Sequence, residues 1–517
     1  MSVRVVSAAQ AADLDARAIS KGIPSRQLMQ AAGRAAAAMV VERYPLEAER
    51  GVAVFTGPGN NGGDAWVVAG ELARRGVRVR VAEVAPASTP DAVAERETAS
   101  AVLEHALPDG SEGVIIDGLL GTGARGAPRD TIAGAIERIE IRRSAHGHMP
   151  VRVVALDVPS GLDATTGHAA GLSVRADLTV TFGSLKRGLL VQRDAAGAIA
   201  VVDIGLGAEA ATSSAPVLVD AVMARHTVPR IAANAHKGSR KRLVIVGGSF
   251  GMAGAPVLAA RGALRSGVGM VKLCVARESI PAVQALEPAA MATPWCETDA
   301  DFEALVSWAH VLLIGPGLGL NARARAFLER LLAVWRGPVV LDADALKMFE
   351  GEAARLGEHI GERQAILTPH AVEAAGLAGL APEEVDEARF EITAELALAT
   401  RSTVLLKGVP TVASDGTTTL VSASGTPVLA TGGSGDMLGG IVATLLAQIG
   451  DVPCGAVEAA ATSAWIHGRA AEIASAGLVR GVSLHDVTDA LRDAWRLDEP
   501  TAPAPILAEL PAVGGLA

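Results

Sequence analysis

The chain has 517 residues, half of them apolar, with 57 glycines and 3% aromatics, more than one hydrophobic core usually fills, so two or more globular domains are expected and collagenous or disordered classes are excluded. A formal net charge of −10, no basic run longer than Arg240-Lys241-Arg242 and a single tyrosine argue against a grip on nucleic-acid phosphates or base stacking. Three widely spaced cysteines without a C-x-x-C pair, Cys274, Cys296 and Cys454, point away from a disulfide framework or structural zinc and fit a reducing, cytoplasmic setting, while the longest apolar stretch, 437–449, is too short to cross a membrane.

Residues 7–43 read as helix, opened by Ser7 and Gln10 in a capping box and continuing through an alanine-rich stretch after Gly22-Ile23-Pro24. Apolar runs at 52–55, 77–84, 113–117, 151–156, 178–182 and 199–204 then alternate with helical patterns. That alternation predicts a parallel sheet wrapped by helices, with ligands at the carboxyl ends of the strands. The small, polar, aperiodic segment 208–216 reads as a linker. A second α/β series follows, with strands at 242–247, 270–275, 311–315, 338–343, 365–368 and 403–407 and closing helices at 437–449 and 455 to about 476. The Pro- and Ala-rich tail, 498–517, reads as disordered.

Several strand ends carry chemistry. Gly57, Gly59 and Gly62 in VFTGPGNNGGDAW satisfy G-x-G-x-x-G after a strand and before a helix, with Glu83 about twenty residues on. The polar cluster Asn60, Asn61 and Asp64 sets this loop apart from an ordinary dinucleotide turn. Asp117 in IIDGLLGTGARG and Asp157 in ALDVPSGLD end apolar runs where such a sheet presents ligand-binding groups. Each alone reads first as a structural turn cap and only second as a site residue; three such loops together point to a site.

These motifs, with GIPSRQLMQAAG and TFGSLKRG, resemble the YjeF N-terminal domain, the NAD(P)HX epimerase, over most of residues 1–218. The resemblance implies a Rossmann-like three-layer domain that interconverts the two epimers of hydrated NADH and NADPH at carbon six of the nicotinamide ring. It implies substrate contacts from Asn60, Asn61, Gly62, Gly63 and Asp64 and from Gly121, Thr122, Gly123, Ala124, Arg125, Gly126 and Ala127. It also implies Asp157 as substrate-binding acid/base and K+ held by Asn61, Asp117 and Ser160, oxygen donors suited to a hard cation. Ala65 departs from the family's usual glycine.

In TPVLATGGSGDMLGGIVATLL, Gly432, Gly433 and Gly435 let successive N–H groups point into one concavity at a helix start, an anion cradle. Asp436 within it reads either as a helix cap or as a general base beside a phosphoryl group. The segments AHKGSRKRLVIVGGSFGMAGAP, IGPGLG, LDADAL, LTPHAVE and LLKGVPTV stand before it, in the order found in the YjeF C-terminal domain, the ADP-dependent NAD(P)HX dehydratase. The resemblance spans about 219–497 and implies a ribokinase-like α/β fold. By it, Asp436 deprotonates the substrate hydroxyl, the nucleotide phosphorylates it, and loss of phosphate restores the nicotinamide ring. Lys407, Gly408, Val409, Pro410 and Thr411 would contact ADP, with Gly435 on its phosphate side. Ala255, Gly317, Gly319 and His370 would hold the damaged dinucleotide, and Glu373 would act through Mg2+. Ala371-Val372 replaces the family's usual Pro-Gly.

Ser249 lies in a G-x-S-x-G string but reads as a turn residue, since no His and acid are selected to serve it. Asp342 and Asp344 read as caps as readily as site residues, and His146 and His148 as solvated. The expected partners are the small molecules NADHX and NADPHX, with no nucleic acid and no membrane, and the expected assembly is a homo-oligomer. The rival reading is a ribokinase-like small-molecule kinase fused to a YjeF-type binding module.

Overall fold

The computed structural model describes residues 2–104, 106–145, 150–451, 454–497 and 503–513. The chain forms two compact units, Met1–Val217 joined by Pro500–Val513, and Leu218–Glu499. His146 and His148 lie outside the described residues.

In the first unit a sheet runs in the spatial order Ile506–Leu510, Ala198–Val202, Leu178–Phe182, Arg152–Leu156, Val114–Gly118, Val52–Thr56, Val79–Glu83. All neighbours are parallel except the first pair. Both faces are covered, which is why the strands read as nearly unbroken apolar runs. Val54, Ile116 and Val154 pack with Ala36, Val40 and Leu72 on one face; Phe55, Ile115 and Val153 pack with Ile136 and Ile139 on the other. Each such fully buried aliphatic side chain contributes about 1.5–3 kcal/mol over an exposed one.

Three expectations are corrected in this unit. The 7–43 helix is two helices, Ala8–Ser20 and Ser25–Arg43, because Gly22 adopts φ +97° and Pro24 cannot continue the hydrogen-bond ladder. The Ser7 capping box is present, with Gln10 N donating to Ser7 Oγ at 3.2 Å. The 208–216 linker contains the helix Gly207–Thr212: buried Glu209 accepts from Lys21 Nζ at 2.6 Å, and Arg4 donates to the carbonyls of Ala210 and Ala215 at 3.0 and 2.9 Å. Lastly, residues 503–513 of the supposed disordered tail are ordered. Ile506–Leu510 adds an antiparallel strand to the open edge Ala198–Val202, Ile506 packs on the core, Glu509 pairs with Arg43, and Arg193 donates to the Pro511 carbonyl. A short alternating strand needs only an apolar edge to pair with, and composition does not reveal where that edge is.

In the second unit the strands run Met291–Pro294, Met270–Val275, Arg242–Val246, Val311–Ile314, Val339–Leu341, Ala365–Leu367, Thr403–Leu406, Thr411–Ser414, Thr419–Ser422. The order is parallel up to Thr403–Leu406, where an antiparallel hairpin is added. The helices Gly254–Arg265 and Ser434–Gln448 touch backbone to backbone. A Cβ on Gly440 would lie 1.9 Å from the Ala259 carbonyl oxygen, and one on Gly262 would lie 2.2 Å from that of Met437. The Gly262 contact falls on Met437, next to Asp436 in the first turn of its helix. Among the described residues no helix is long and apolar enough to cross a membrane.

Candidate active sites

At the carboxyl ends of the first sheet, the loop after Val52–Thr56 meets the loop after Val114–Gly118. A Cβ on Gly57 would lie 1.8 Å from the Leu119 carbonyl oxygen, and one on Gly62 would lie 2.0 Å from that of Gly57. These glycines therefore serve close approach. A cavity of about 510 Å³ opens above them, lined among others by Asn60, Asn61, Asp64, Gly121, Thr122, Gly123, Ala124 and Asp157. Gly62 and Gly63 are buried in the helix behind it. Arg125, Gly126 and Ala127 stand outside its lining, with Arg125 folded back onto the carbonyls of Thr122 and Ala124 at 3.0 and 2.8 Å.

Asp157 follows its strand in the left-handed region at φ +62°, a conformation costly for a non-glycine residue and common where function dictates geometry. Its Oδ1 accepts from Lys186 Nζ at 2.5 Å, Thr181 Oγ1 at 3.2 Å and Phe182 N at 3.4 Å. Lys186, only 3% exposed, also donates to the carbonyls of Phe182 and Ser184 at 2.9 and 3.3 Å. Asp15 lines the same cavity. Burial, then the charges of Asp157 and Asp15, hold the Asp64 carboxyl well above the usual carboxylate range. Burial and Asp157 raise Asp15 as well, against the pull of Lys186. The cavity thus combines an aspartate tethered to a lysine with two acids held above the usual carboxylate range. Neither Lys186 nor Asp15 was singled out from sequence; the lysine in TFGSLKRG was the available signal.

Behind the cavity, Ser160 Oγ and N donate to Asp117 Oδ1 and Oδ2 at 2.6 and 2.8 Å, and Leu119 N reaches Oδ1 at 3.2 Å. Asn61 Nδ2 donates to the Leu120 carbonyl at 2.8 Å, while Leu120 N donates to Ser160 Oγ at 2.9 Å. Asn61 Oδ1 is buried without a hydrogen-bond partner. Burial pushes Asp117 up to about 6 despite these hydrogen bonds, none of which brings a positive charge.

In the second unit Gly433, at φ +93°, opens the helix Ser434–Gln448 with Asp436 in its first turn. Burial, then Asp342, push Asp436 up to about 7, while Lys407 pulls the other way and Asp344 and Glu373 add to the rise. Lys407 Nζ lies 2.8 Å from Asp342 Oδ1 and 3.9 Å from Glu373 Oε2. Burial alone would lower its ammonium, but Asp342, Glu373 and Asp436 hold it above its ordinary value. A Cβ on Gly435 would stand 3.3 Å from Lys407 Nζ, so the glycine cradle and the lysine face one another.

The remaining candidates lie on neighbouring strand ends. His370 caps Ala371–Ala378 in a box with Glu373: Glu373 N donates to His370 Nδ1 at 3.3 Å and His370 N to Glu373 Oε2 at 3.0 Å. The box forms with Ala371-Val372 in place. Burial keeps the His370 imidazole below its ordinary value, although Glu373 opposes this. Gly317 and Gly319 adopt φ +60° and +84°. Gly319 N donates to Asp344 Oδ2 at 2.8 Å, and Ser249 N to the Gly317 carbonyl at 2.7 Å. Ser249 thus ties two loops together as a turn residue, and Asp342 and Asp344 are both wired into the constellation. Ala255 sits in the first turn of Gly254–Arg265. The segment Lys407–Thr411 is pinned by Lys407 N on the Pro369 carbonyl at 2.8 Å, by Thr411 Oγ1 on that of Gly408 at 3.0 Å and by buried Arg389 on that of Pro410. Among the described residues no three His, Cys, Asp or Glu side chains converge as a metal cage.

The comparisons agree with this two-unit layout. The family model described as YjeF-related protein N-terminus matches residues 25–188, and that described as NAD(P)H-hydrate dehydratase matches 243–493. A bifunctional NAD(P)H-hydrate repair enzyme of Pyrobaculum aerophilum is 35% identical over 91% of this chain and 94% of its own. This chain belongs to the bifunctional NAD(P)H-hydrate repair enzymes. The repair enzyme of Escherichia coli K12 is 33% identical over 91% of this chain and 90% of its own. A solved structure of the ADP/ATP-dependent NAD(P)H-hydrate dehydratase of Bacillus subtilis, co-crystallised with ATP/Mg2+, aligns with 54% of this chain and 97% of its own, at 27% identity and a TM-score of 0.46. For a repair enzyme with two activities, two constellations built on separate sheets are the expected arrangement.

Proposed function

We propose that the first unit epimerises NADHX and NADPHX at carbon six, and that the second dehydrates one epimer back to NADH or NADPH at the expense of ADP. The observation that carries this reading is Asp436, raised to about 7 beside the Lys407–Asp342 pair at a glycine-lined helix start. A carboxylate poised near neutrality can take the substrate hydroxyl's proton as that oxygen attacks the terminal phosphorus of ADP and AMP leaves. Lys407 and the N–H groups after Gly433 stabilise charge on the transferring phosphoryl group. Phosphate is a far better leaving group than hydroxide, so its departure with the ring proton restores the nicotinamide. Lys407 to Thr411 and Gly435 hold the ADP, and Ala255, Gly317, Gly319 and His370 the dinucleotide. Magnesium would enter with the nucleotide phosphates, beside Glu373, and would neutralise their charge.

In the first unit Asp157 takes the proton of the carbon-six hydroxyl as the C6–N1 bond breaks to leave an aldehyde and a protonated ring nitrogen, and returns it to the oxygen when that nitrogen closes on the other face of the carbonyl. Lys186 fixes Oδ1, so Oδ2 is the oxygen that takes and returns the proton. Asp64, its carboxyl held above the usual carboxylate range by burial, faces the substrate from another wall, and Asn60, Asn61 and residues 121–124 seat it. The orphaned Asn61 Oδ1 and the uncompensated Asp117 fit a hard cation such as K+, with Ser160 as third ligand; bound there, it would supply the positive charge that Asp117 lacks and rigidify the loop behind the cavity.

A mixture of both epimers with ADP, followed by the absorbance of restored NADH, tests both halves. Asp436→Ala should abolish conversion without accumulating a phosphorylated product. Asp157→Ala should consume one epimer at the normal rate and leave the other to its spontaneous rate; equal consumption of both would remove the epimerase assignment.

A further inference from the structure

Of the seven phenylalanines, six are buried at 7% exposure or less. Phe250 is 83% exposed, more than any other large apolar side chain among the described residues. It has company: Met252 on the same turn is 49% exposed, and Leu320 on the neighbouring turn 61%. A lone exposed apolar side chain is ordinary, but a group of them on two touching loops marks a binding surface.

The turn that carries Phe250 is rigid. Gly248 and Gly251 adopt φ +58° and +82°, and the carbonyls of Gly247, Gly248 and Ser249 accept from Trp295 Nε1 at 2.9 Å, Ala276 N at 3.1 Å and Ser279 Oγ at 3.2 Å. Met252 N closes the turn on the Ser249 carbonyl at 2.9 Å. The ring therefore stands in water because its backbone is fixed there. Its chain neighbours on both sides touch the turn after Val311–Ile314. Gly248 N and Ser249 N donate to the carbonyls of Pro316 and Gly317 at 3.0 and 2.7 Å. A Cβ on Gly317 would come within 2.8 Å of Met252 Cβ, and one on Gly319 within 3.5 Å of Ser249 Oγ. Leu320 follows Gly319 directly. Phe250, Met252 and Leu320 thus border the two glycines assigned above to the dinucleotide, and the helix Gly254–Arg265, entered from the same turn, packs on the helix that opens with Asp436.

Resting on that assignment, we propose that Phe250, flanked by Met252 and Leu320, is the stacking platform for the adenine of NADHX and NADPHX in the dehydratase unit. The chemistry of the substrate selects adenine. Hydration at carbon six, added to reduction at carbon four, saturates that side of the nicotinamide ring and removes its flat face, so adenine is the aromatic surface the damaged dinucleotide still offers. Carbon six must meet Asp436, and the far end of the molecule then runs outward past Gly317 and Gly319 to the rim where the phenyl ring stands. A flat ring against a base adds affinity through stacking. The adenine of ADP belongs elsewhere, since Lys407 to Thr411 and Gly435 hold that nucleotide, and the exposed apolar side chain in that segment is Val409. A contact with a part of the substrate remote from the reacting carbon is equally strong before and during the reaction, so it lowers KM and leaves kcat alone.

Steady-state dehydration at saturating ADP, read by the absorbance of the restored dihydronicotinamide, tests this with NADHX and with hydrated reduced nicotinamide mononucleotide, which has no adenine. Phe250→Ala should raise KM for NADHX about tenfold, with kcat and the KM for ADP unchanged, and should leave KM for the mononucleotide at its wild-type value. Phe250→Trp should keep the wild-type KM for NADHX. The unfolding midpoint and sedimentation coefficient of Phe250→Ala should match those of the wild type. An unchanged KM for NADHX, an equal rise for the mononucleotide, or a rise in the KM for ADP instead would each overturn the proposal. So would a smaller assembly in sedimentation velocity, which would give the ring to a second copy of this chain. A wild type that restores NADH while Phe250→Ala behaves identically removes the platform alone; a wild type that turns over neither substrate overturns the dehydratase reading and the platform with it.

Discussion

Withdrawing K+ from the site proposed at Asn61, Asp117 and Ser160 should destabilise the first unit in a pH-dependent way that Asp117 explains. Burial holds this carboxyl at about 6 in the folded chain against an ordinary 3.8. The folded state therefore binds the proton more tightly than the unfolded chain, and stability is lost as pH climbs from about 4 to about 6. At about 1.4 kcal/mol per unit the loss approaches 3 kcal/mol and is fully present above pH 6. A cation that pairs with the ionised form offsets this loss and must compete with the proton. At pH 5 about one Asp117 in eleven is ionised, so apparent cation affinity falls about tenfold from its value at pH 7. With K+ about a hundredfold above its dissociation constant, stabilisation should be about 2.7 kcal/mol at pH 7.5 and about 1.4 kcal/mol less at pH 5. Chemical denaturation in KCl against tetramethylammonium chloride at equal ionic strength measures the difference, and Asp117→Asn should erase the K+-specific part. Equal protection at pH 5 and pH 7.5, or protection that survives in Asp117→Asn, would refute the reasoning.

Three further outcomes are expected. Because Asp436 must be ionised to act as a base and is pushed up to about 7, kcat/KM for dehydration should fall about tenfold per pH unit below 7; a flat profile down to pH 5.5 in single-turnover assays would remove it as the base. Lys186→Met leaves Asp157 without its 2.5 Å tether and should slow epimerisation by about 10²-fold or more, read as consumption of the non-preferred epimer, while the preferred one is dehydrated at the wild-type rate. Gly57→Ala puts a Cβ 1.8 Å from a backbone oxygen whereas Gly59→Ala meets nothing within 4 Å, so urea denaturation should show a cost of about 3 kcal/mol for the first and a change within about 0.5 kcal/mol for the second.

What could be read from the sequence was what is local in the chain. The glycine spacing around Asp436, the Asn60–Asp64 loop after its strand and the Ser7 capping box each lie within one turn and its neighbours. The apolar runs announced the buried parallel strands because a strand covered on both faces has no polar side to hide it. Long-range pairings were not legible. Lys186 is 29 positions from Asp157 and Lys407 is 65 from Asp342, and nothing in the local pattern says which acid a given lysine meets. Asp342 therefore read as a cap as readily as a site residue. The strands Met291–Pro294, Thr411–Ser414 and Thr419–Ser422 are short and partly polar, which gives periodicity too little length to register. Gly22 and Pro24 were visible as breakers, but the alanine-rich composition on either side outweighed them.

The outermost strand of the first sheet comes from Ile506–Leu510, some three hundred positions after the edge Ala198–Val202 on which it lies. A ribosome adding about 5–20 residues per second needs about 15–60 s to cover that interval, and during it the nascent epimerase domain presents a bare apolar edge. A polypeptide that terminates before residue 506 never loses that edge, the kind of template on which aggregation begins. Truncated products should therefore be cleared by chaperones and proteases through their N-terminal half, although the lesion lies at the other end.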